Sequence, residues 1–310
     1  MRTLLDILAP NSIECSDDVA LTGTSSASTV VLAAVGGLAG IGKTELAIQA
    51  ARTALDRGWF PGGVLFVDML GYDPDRALDP GQALEGFLLA LAIPGEHIPR
   101  QTQDRARLYA SVLAAYAREG RRVLVVIDSV ATHEQAKPLL PAEPTTMAIV
   151  TSRNTLGLLD ARLLDLDTLA PTDATKMLDR VLRMKRSSDA RVTNSPADAV
   201  RIAELCGGLP LALRIIAALL SENLNRTLAE MAKDLDDERT RLDELSCGNT
   251  AVRAAFDLSY RRLDLNHARL FRLLAHQAGR RRSTRTTGRS SPAGRPTRRP
   301  WRASAASAGP

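Results

Sequence analysis

The last 32 residues of this 310-residue chain, 279–310, contain no acidic residue, no lysine and none of Leu, Ile, Val, Met or Phe. A segment with a single large apolar side chain, Trp301, cannot bury a core, so it is expected to be disordered. Cysteine is also scarce. Cys15, Cys206 and Cys247 are odd in number and far apart, which excludes a disulfide framework and a metal knuckle and fits a reducing compartment. No uncharged apolar run reaches the roughly 18 residues that suggest a membrane span, and Met1–Pro10, which carries Asp6, is too short for a secretory signal. The chain is therefore read as cytoplasmic, with no membrane partner. His97, His133, His267 and His276 show no ligand spacing and are assigned no metal.

The net charge of +5 and the pI near 9.4 suggest nucleic acid until the charge is located. Nine of the 40 basic residues are arginines of the tail, which leaves 31 basic against 35 acidic residues in 1–278. The body is acidic at −4 and the tail alone is +9. DNA binding is accordingly not expected from this chain alone, although salt-sensitive nucleic-acid binding through the tail stays open as an alternative.

From Thr29 to about Leu166, short apolar runs alternate with longer helical patterns, as in βα units around a parallel sheet. The runs Val30–Val35, Val64–Asp68, Val123–Asp128, Ala148–Ser152 and Leu163–Leu166 are nearly continuous in apolar residues, which predicts strands covered on both faces. Helices are predicted over Thr44–Arg57, Gly81–Leu91 and Asp104–Ala117. After Leu169 the pattern is wholly helical. Thr172 and Asp173 mark a start before Ala174–Met184, Pro196 and Asp198 one before Val200–Leu205, and Arg186–Ser195 reads as a polar linker. Further helices are predicted over Leu211–Leu220, Leu228–Leu235, Ala251–Leu263 and about His267–His276.

Gly37-Leu-Ala-Gly40-Ile41-Gly42-Lys43-Thr44 carries the chemistry. A strand leads in and a helix leads out, so free backbone N–H groups and the positive helix end face one point, where a polyphosphate fits. The backbone from Gly37 through Gly40, Ile41 and Gly42 can wrap phosphates without Cβ clashes, Lys43 supplies a point charge, and the Thr44 hydroxyl suits Mg²⁺. Asp128, ending an apolar strand, suits the same ion. The next residue is Ser129, a poor general base, and nothing aims Glu45 or Glu134 at a water, so turnover is expected to be slow or absent. Arg153, following the strand Ala148–Ser152, can read a terminal phosphate in bidentate fashion. In Gly207-Gly-Leu-Pro210, the proline needs no more than a helix start to explain it. The predicted class is α/β: a P-loop NTPase parallel sheet flanked by helices, then an all-helical module and a disordered basic tail.

Ala34–Ala47, Leu65–Tyr72, Val123–Asp128, Leu139–Pro141, Val150–Arg153 and Gly207–Leu213, in this order, resemble the NB-ARC branch of the STAND signal-transduction NTPases. The likeness is greatest to actinobacterial transcriptional regulators of the antibiotic regulatory protein type, and it covers about residues 1–276. It implies a switch that holds ADP, exchanges it for ATP and resets by slow hydrolysis. In it Lys43 and Thr44 are the phosphate-loop pair, Asp128 holds Mg²⁺, Arg153 is the sensor arginine and Pro210 lies on the nucleotide. Expected partners are nucleotide, other regulatory domains or proteins, and a further copy of the chain on ATP binding. The domain boundaries implied are 1–169 for the nucleotide-binding unit, 170–245 for the helical subdomain, 246–278 for an incomplete winged-helix module and 279–310 for the tail.

Leu70, where relatives carry Arg, and Ser129 depart from the pattern. The chain is also expected to be cut at both ends, and the tail has the composition of GC-rich DNA read out of frame, which reading the gene in its other frames checks. The competing reading is a phosphoryl-transfer enzyme such as a small-molecule kinase, for which no base can be nominated.

Overall fold

The computed structural model describes residues 1–9, 32–143, 145–157, 159, 161–236, 246–247, 250–251 and 269. Met1–Arg262 is one compact unit and Leu263–Pro310 a second, of which Arg269 is helical and exposed. In the first unit α1 (Arg2–Leu8) precedes a βα series: β1 (Leu32–Gly37), α2 (Lys43–Asp56), β2 (Gly63–Asp68), α3 (Pro80–Ala90), α4 (Thr102–Arg118), β3 (Val123–Val130), α5 (His133–Ala136), β4 (Met147–Ser152) and β5 (Arg162–Leu166). The five strands form one sheet in the order β2-β3-β4-β1-β5, with every neighbouring pair parallel.

Alternation along β3 explains why its sequence reads as continuously apolar. Val123, Val125 and Ile127 enter one core with Leu84, Phe87 and Leu88 of α3 and Tyr109 and Leu113 of α4. Leu124 and Val126 enter another, on the opposite face, with α1 and α2. Helix α2 meets that face through Ala47, Ala50, Ala51 and Ala54, whose small side chains at helical spacing let its backbone lie close to the strands. Asp79 caps α3 by accepting from the Gly81 N–H at 2.7 Å, with Pro80 at the first helical position.

The chain then becomes helical in α6 (Pro171–Lys185), α7 (Arg191–Asn194), α8 (Pro196–Leu205), α9 (Pro210–Glu222) and α10 (Leu228–Asp236). These helices share a third core, built on residues such as Leu178, Ile202, Ile216 and Met231. Ile41, from the glycine-rich loop after β1, belongs to that core as well. The fold class read from the sequence is thus the one observed for the sheet and the helical module.

Four local readings need correction. The edge strands β2 and β5 are not covered on both faces: Phe66 is 47% and Leu163 49% exposed, because only the inner strands have a neighbour on each side and helices over both faces. Arg186–Ser195 is not simply a linker: it contains α7, and Arg191 pairs with the mostly buried Asp189 and donates to the carbonyl oxygens of Leu220 and Arg226. Thr172 and Asp173 lie inside α6 and do not cap it, because Pro171 already occupies the first turn. Ala251 does not open a helix but pairs in β7 (Thr250–Ala251), antiparallel to β6 (Ser246–Cys247). Most of the predicted helices over 251–263 and 267–276, and the tail 279–310, lie outside the described residues.

Candidate functional site

Strand order brings the singled-out residues together. β4 lies between β1 and β3, so the loop after β1, Asp128 on β3 and Arg153 after β4 all meet at the carboxyl edge of the sheet. At this edge the loop turns through two glycines in the left-handed region, Gly40 (φ 77°) and Gly42 (φ 96°), the second of which is the N-cap of α2. Lys43 folds back across the loop and donates to the carbonyl oxygens of Gly37 at 2.7 Å and Leu38 at 2.8 Å. Burial, reinforced by the Arg153 guanidinium and opposed by Asp128, pushes its ammonium group down to about 8.

Asp128 is 1% exposed and acts as the acceptor for three hydroxyls. Thr44 Oγ1 lies 2.9 and 2.8 Å from its two carboxylate oxygens, Ser129 Oγ donates at 3.1 Å, and Thr151 Oγ1 donates to Oδ1. The register between β3 and β4 shifts just there, from Ile127 opposite Val150 to Val130 opposite Ser152. Ser129 absorbs the bulge at φ 57°, uncommon for a non-glycine residue, and its N–H donates to Thr151 Oγ1 at 3.0 Å. The oxygen set of Asp128 and Thr44 is of the hard type that suits a magnesium ion.

Arg153 is held by Tyr72, which is 5% exposed. The guanidinium carbon lies 4.4 Å from the Tyr72 ring centroid, a cation–π contact. The Tyr72 hydroxyl accepts from the backbone N–H groups of Arg153 at 2.6 Å and Asn154 at 3.2 Å. It also lies 2.9 Å from Ser152 Oγ, which donates to the Val130 carbonyl oxygen at 2.7 Å. The arginine side chain and its backbone are therefore fixed by one tyrosine.

The second wall of the site comes from the helices. Leu211 N–H donates to the Gly40 carbonyl oxygen at 3.1 Å, and Leu169 N–H donates to that of Gly208 at 2.9 Å. Between the walls lies a cleft of about 480 Å³, lined by Gly40 to Glu45, Tyr72, Ser129, Thr151 and Arg153 on one side and Leu169, Met177, Pro210, Leu211 and Arg214 on the other. Gly40, Ile41, Gly42, Lys43, Thr44, Arg153 and Pro210 thus share one cavity. Gly37 and Asp128 join it through their bonds to Lys43 and Thr44. Glu45 is the one lining carboxylate among the described residues, and it accepts from Gln49 Nε2 at 2.8 Å. Glu134 lies at the start of α5 and does not line the cleft. The sequence did not mark Met177 or Arg214, and it gave Thr151, within Val150–Arg153, no role at the site. A partial signal existed for Arg214, a lone charge in the first eleven residues of a helix otherwise apolar there.

Two curated proteins align with most of the chain. One, "Regulatory protein AfsR" of Streptomyces coelicolor, is 40% identical over 264 residues, 84% of this chain. The other, of the same name from Streptomyces griseus, is 39% identical over 252 residues, 81% of this chain. The chain is related to the AfsR regulatory proteins. It spans about a quarter of their length, 25% and 24% respectively. No family model matches. Among solved structures, Cdc6p from Pyrobaculum aerophilum aligns at a TM-score of 0.48 and 15% identity, covering 73% of this chain and 62% of that one. PCH-2 from C. elegans aligns at 0.45 and 12%, covering 78% and 68%. No described helix is long and apolar enough to cross a membrane.

Proposed function

We propose that this chain is the nucleotide-binding core of a regulatory protein: a switch of the NB-ARC type that holds ADP or ATP in the cleft and hydrolyses ATP slowly or not at all. The observation that carries this reading is the arrangement of Lys43 and Arg153 on one wall and Pro210 and Leu211 on the other, joined by the bond from Leu211 to Gly40. A polyphosphate wrapped by the loop meets both cations, while Leu169, Met177 and Pro210 offer apolar contact to a purine. Nucleotide can shift the equilibrium between two forms only through different affinities for them, and a cleft shared by two structural layers supplies such a difference when they separate.

Asp128 and Thr44 are the residues that would hold Mg²⁺, which when bound neutralises phosphate charge. Ser129 in place of a carboxylate after Asp128 supports slow turnover, since a serine hydroxyl is a poor base for water. In this reading residues 1–169 bind nucleotide and residues 170–245 form the helical subdomain that responds. The partners are other regulatory domains or proteins, and further copies of the chain in the ATP form.

The test is to denature the purified protein and identify released nucleotide by chromatography. Stoichiometric ADP is expected. A nucleotide-free protein that also fails to take up added ADP or ATP contradicts the proposal.

A further inference from the structure

We propose that Arg214 is the cation with which the helical layer reads the phosphate chain of the bound nucleotide. The inference rests on the nucleotide reading above and adds the residue through which α9 feels the ligand's charge.

Helix α9 is apolar through most of its length: Arg214 and Glu222 are its charged residues, and Glu222 is its last. Ala212, Leu213, Ile215, Ile216 and Ala217 are buried in the helical core. Pro210, Leu211 and Arg214 share the remaining face, one turn apart, and all three line the cleft. The bond from Leu211 to Gly40 fixes that face against the glycine-rich loop, so the place of Arg214 at the cleft is set by backbone and not by a flexible surface.

Arg214 is exposed and has no hydrogen bond or ion pair among the described residues, unlike Arg105, Arg183, Arg191, Arg201 and Arg226, each paired with a carboxylate. It is the third cation of the cleft, with Lys43 and Arg153, against two carboxylates, Glu45 in the lining and Asp128 bonded to Thr44. This local excess of positive charge sits in a body, residues 1–278, whose formal charge is −4. Three cations from three elements around one cavity suit an anion with several charged oxygens, which an arginine binds through more than one N–H.

Titration calorimetry with ADP on the full chain tests this with Arg214→Met, Arg214→Lys and Lys43→Ala. Arg214→Met is expected to weaken ADP roughly 10- to 100-fold at low salt, the range for one charge-assisted contact. Arg214→Lys should recover part of that, and the gap between Arg214→Met and wild type should narrow as salt is raised. The melting temperature of the nucleotide-free protein should not change, because the side chain is exposed and unpaired. Wild-type affinity in Arg214→Met alongside lost binding in Lys43→Ala overturns the role of Arg214 and leaves the nucleotide reading standing. A salt-independent gap, or a lowered melting temperature without nucleotide, also overturns it by making the residue structural. No binding of ADP by the wild type overturns both.

Discussion

The N–H of Leu211, in the first turn of α9, donates to the carbonyl oxygen of Gly40 at 3.1 Å. With Ile41 inserted in the helical core, this bond ties the backbone of the glycine-rich loop directly to the helices. Any ligand that reshapes the loop must therefore act on the helical layer as well.

Gly40 is where that coupling is most exposed to mutation. A Cβ there would stand 2.9 Å from Leu211 Cβ, on a backbone at φ 77°. Gly40→Ala is expected to destabilise the protein by about 1–2 kcal/mol from the left-handed backbone alone, with an added steric part. Thermal melts of Gly40→Ala, Leu211→Ala and the double variant separate the two. The double variant should be more stable than the sum of the single effects implies, because removing the Leu211 side chain beyond Cβ relieves part of the clash.

Lys43 gives the nucleotide-free protein a defined pH response. Its folded-state value of about 8 lies below its ordinary value of 10.5, so between these the unfolded chain holds the proton more tightly. Stability is expected to rise from pH 8 towards 10.5, and the cost of the charged, buried ammonium is fully present below pH 8. Lys43→Met should remove this contribution in pH-dependent melts. Phosphate oxygens favour the charged form, so nucleotide affinity should fall as pH rises above 8, with proton uptake on binding visible in buffers of different ionisation enthalpy.

Tyr72 holds Arg153 in two separable ways. Tyr72→Phe keeps the ring under the guanidinium and removes the hydroxyl that accepts from the N–H groups of Arg153 and Asn154, at an expected cost of about 1–3 kcal/mol in stability. Tyr72→Ala removes both. The discrimination between ADP and ATP should follow the ring, being largely kept in Tyr72→Phe and reduced in Tyr72→Ala to the level of Arg153→Ala. Competition binding measures it, and equal loss in Phe and Ala variants would assign the effect to the hydroxyl.

The parts of the site legible in the sequence are those made by contiguous residues whose chemistry needs a fixed order. Lys43 and Thr44 follow the glycines directly, and Asp128 and Arg153 end or follow strands whose apolar runs are unmistakable, so the parallel-sheet rule alone brings them to one edge. What stayed hidden depends on contacts between distant segments. Nothing local to Tyr72 says that it lies under Arg153, and nothing local to Leu211 says that its N–H finds Gly40. The bulge at Ser129 was illegible because its cause, the shifted pairing of β3 with β4, belongs to two strands at once. The helix α7 was missed because its four residues are too few to show a period.

Titration of the nucleotide-free protein with ADP and with Mg²⁺ and ATP, wild type against Lys43→Ala, tests the central claim most directly. The account predicts saturable one-to-one binding of both nucleotides to the wild type and loss of binding in Lys43→Ala with the fold intact by circular dichroism. Failure of the wild type to bind either nucleotide, or equal affinity in Lys43→Ala, would contradict it.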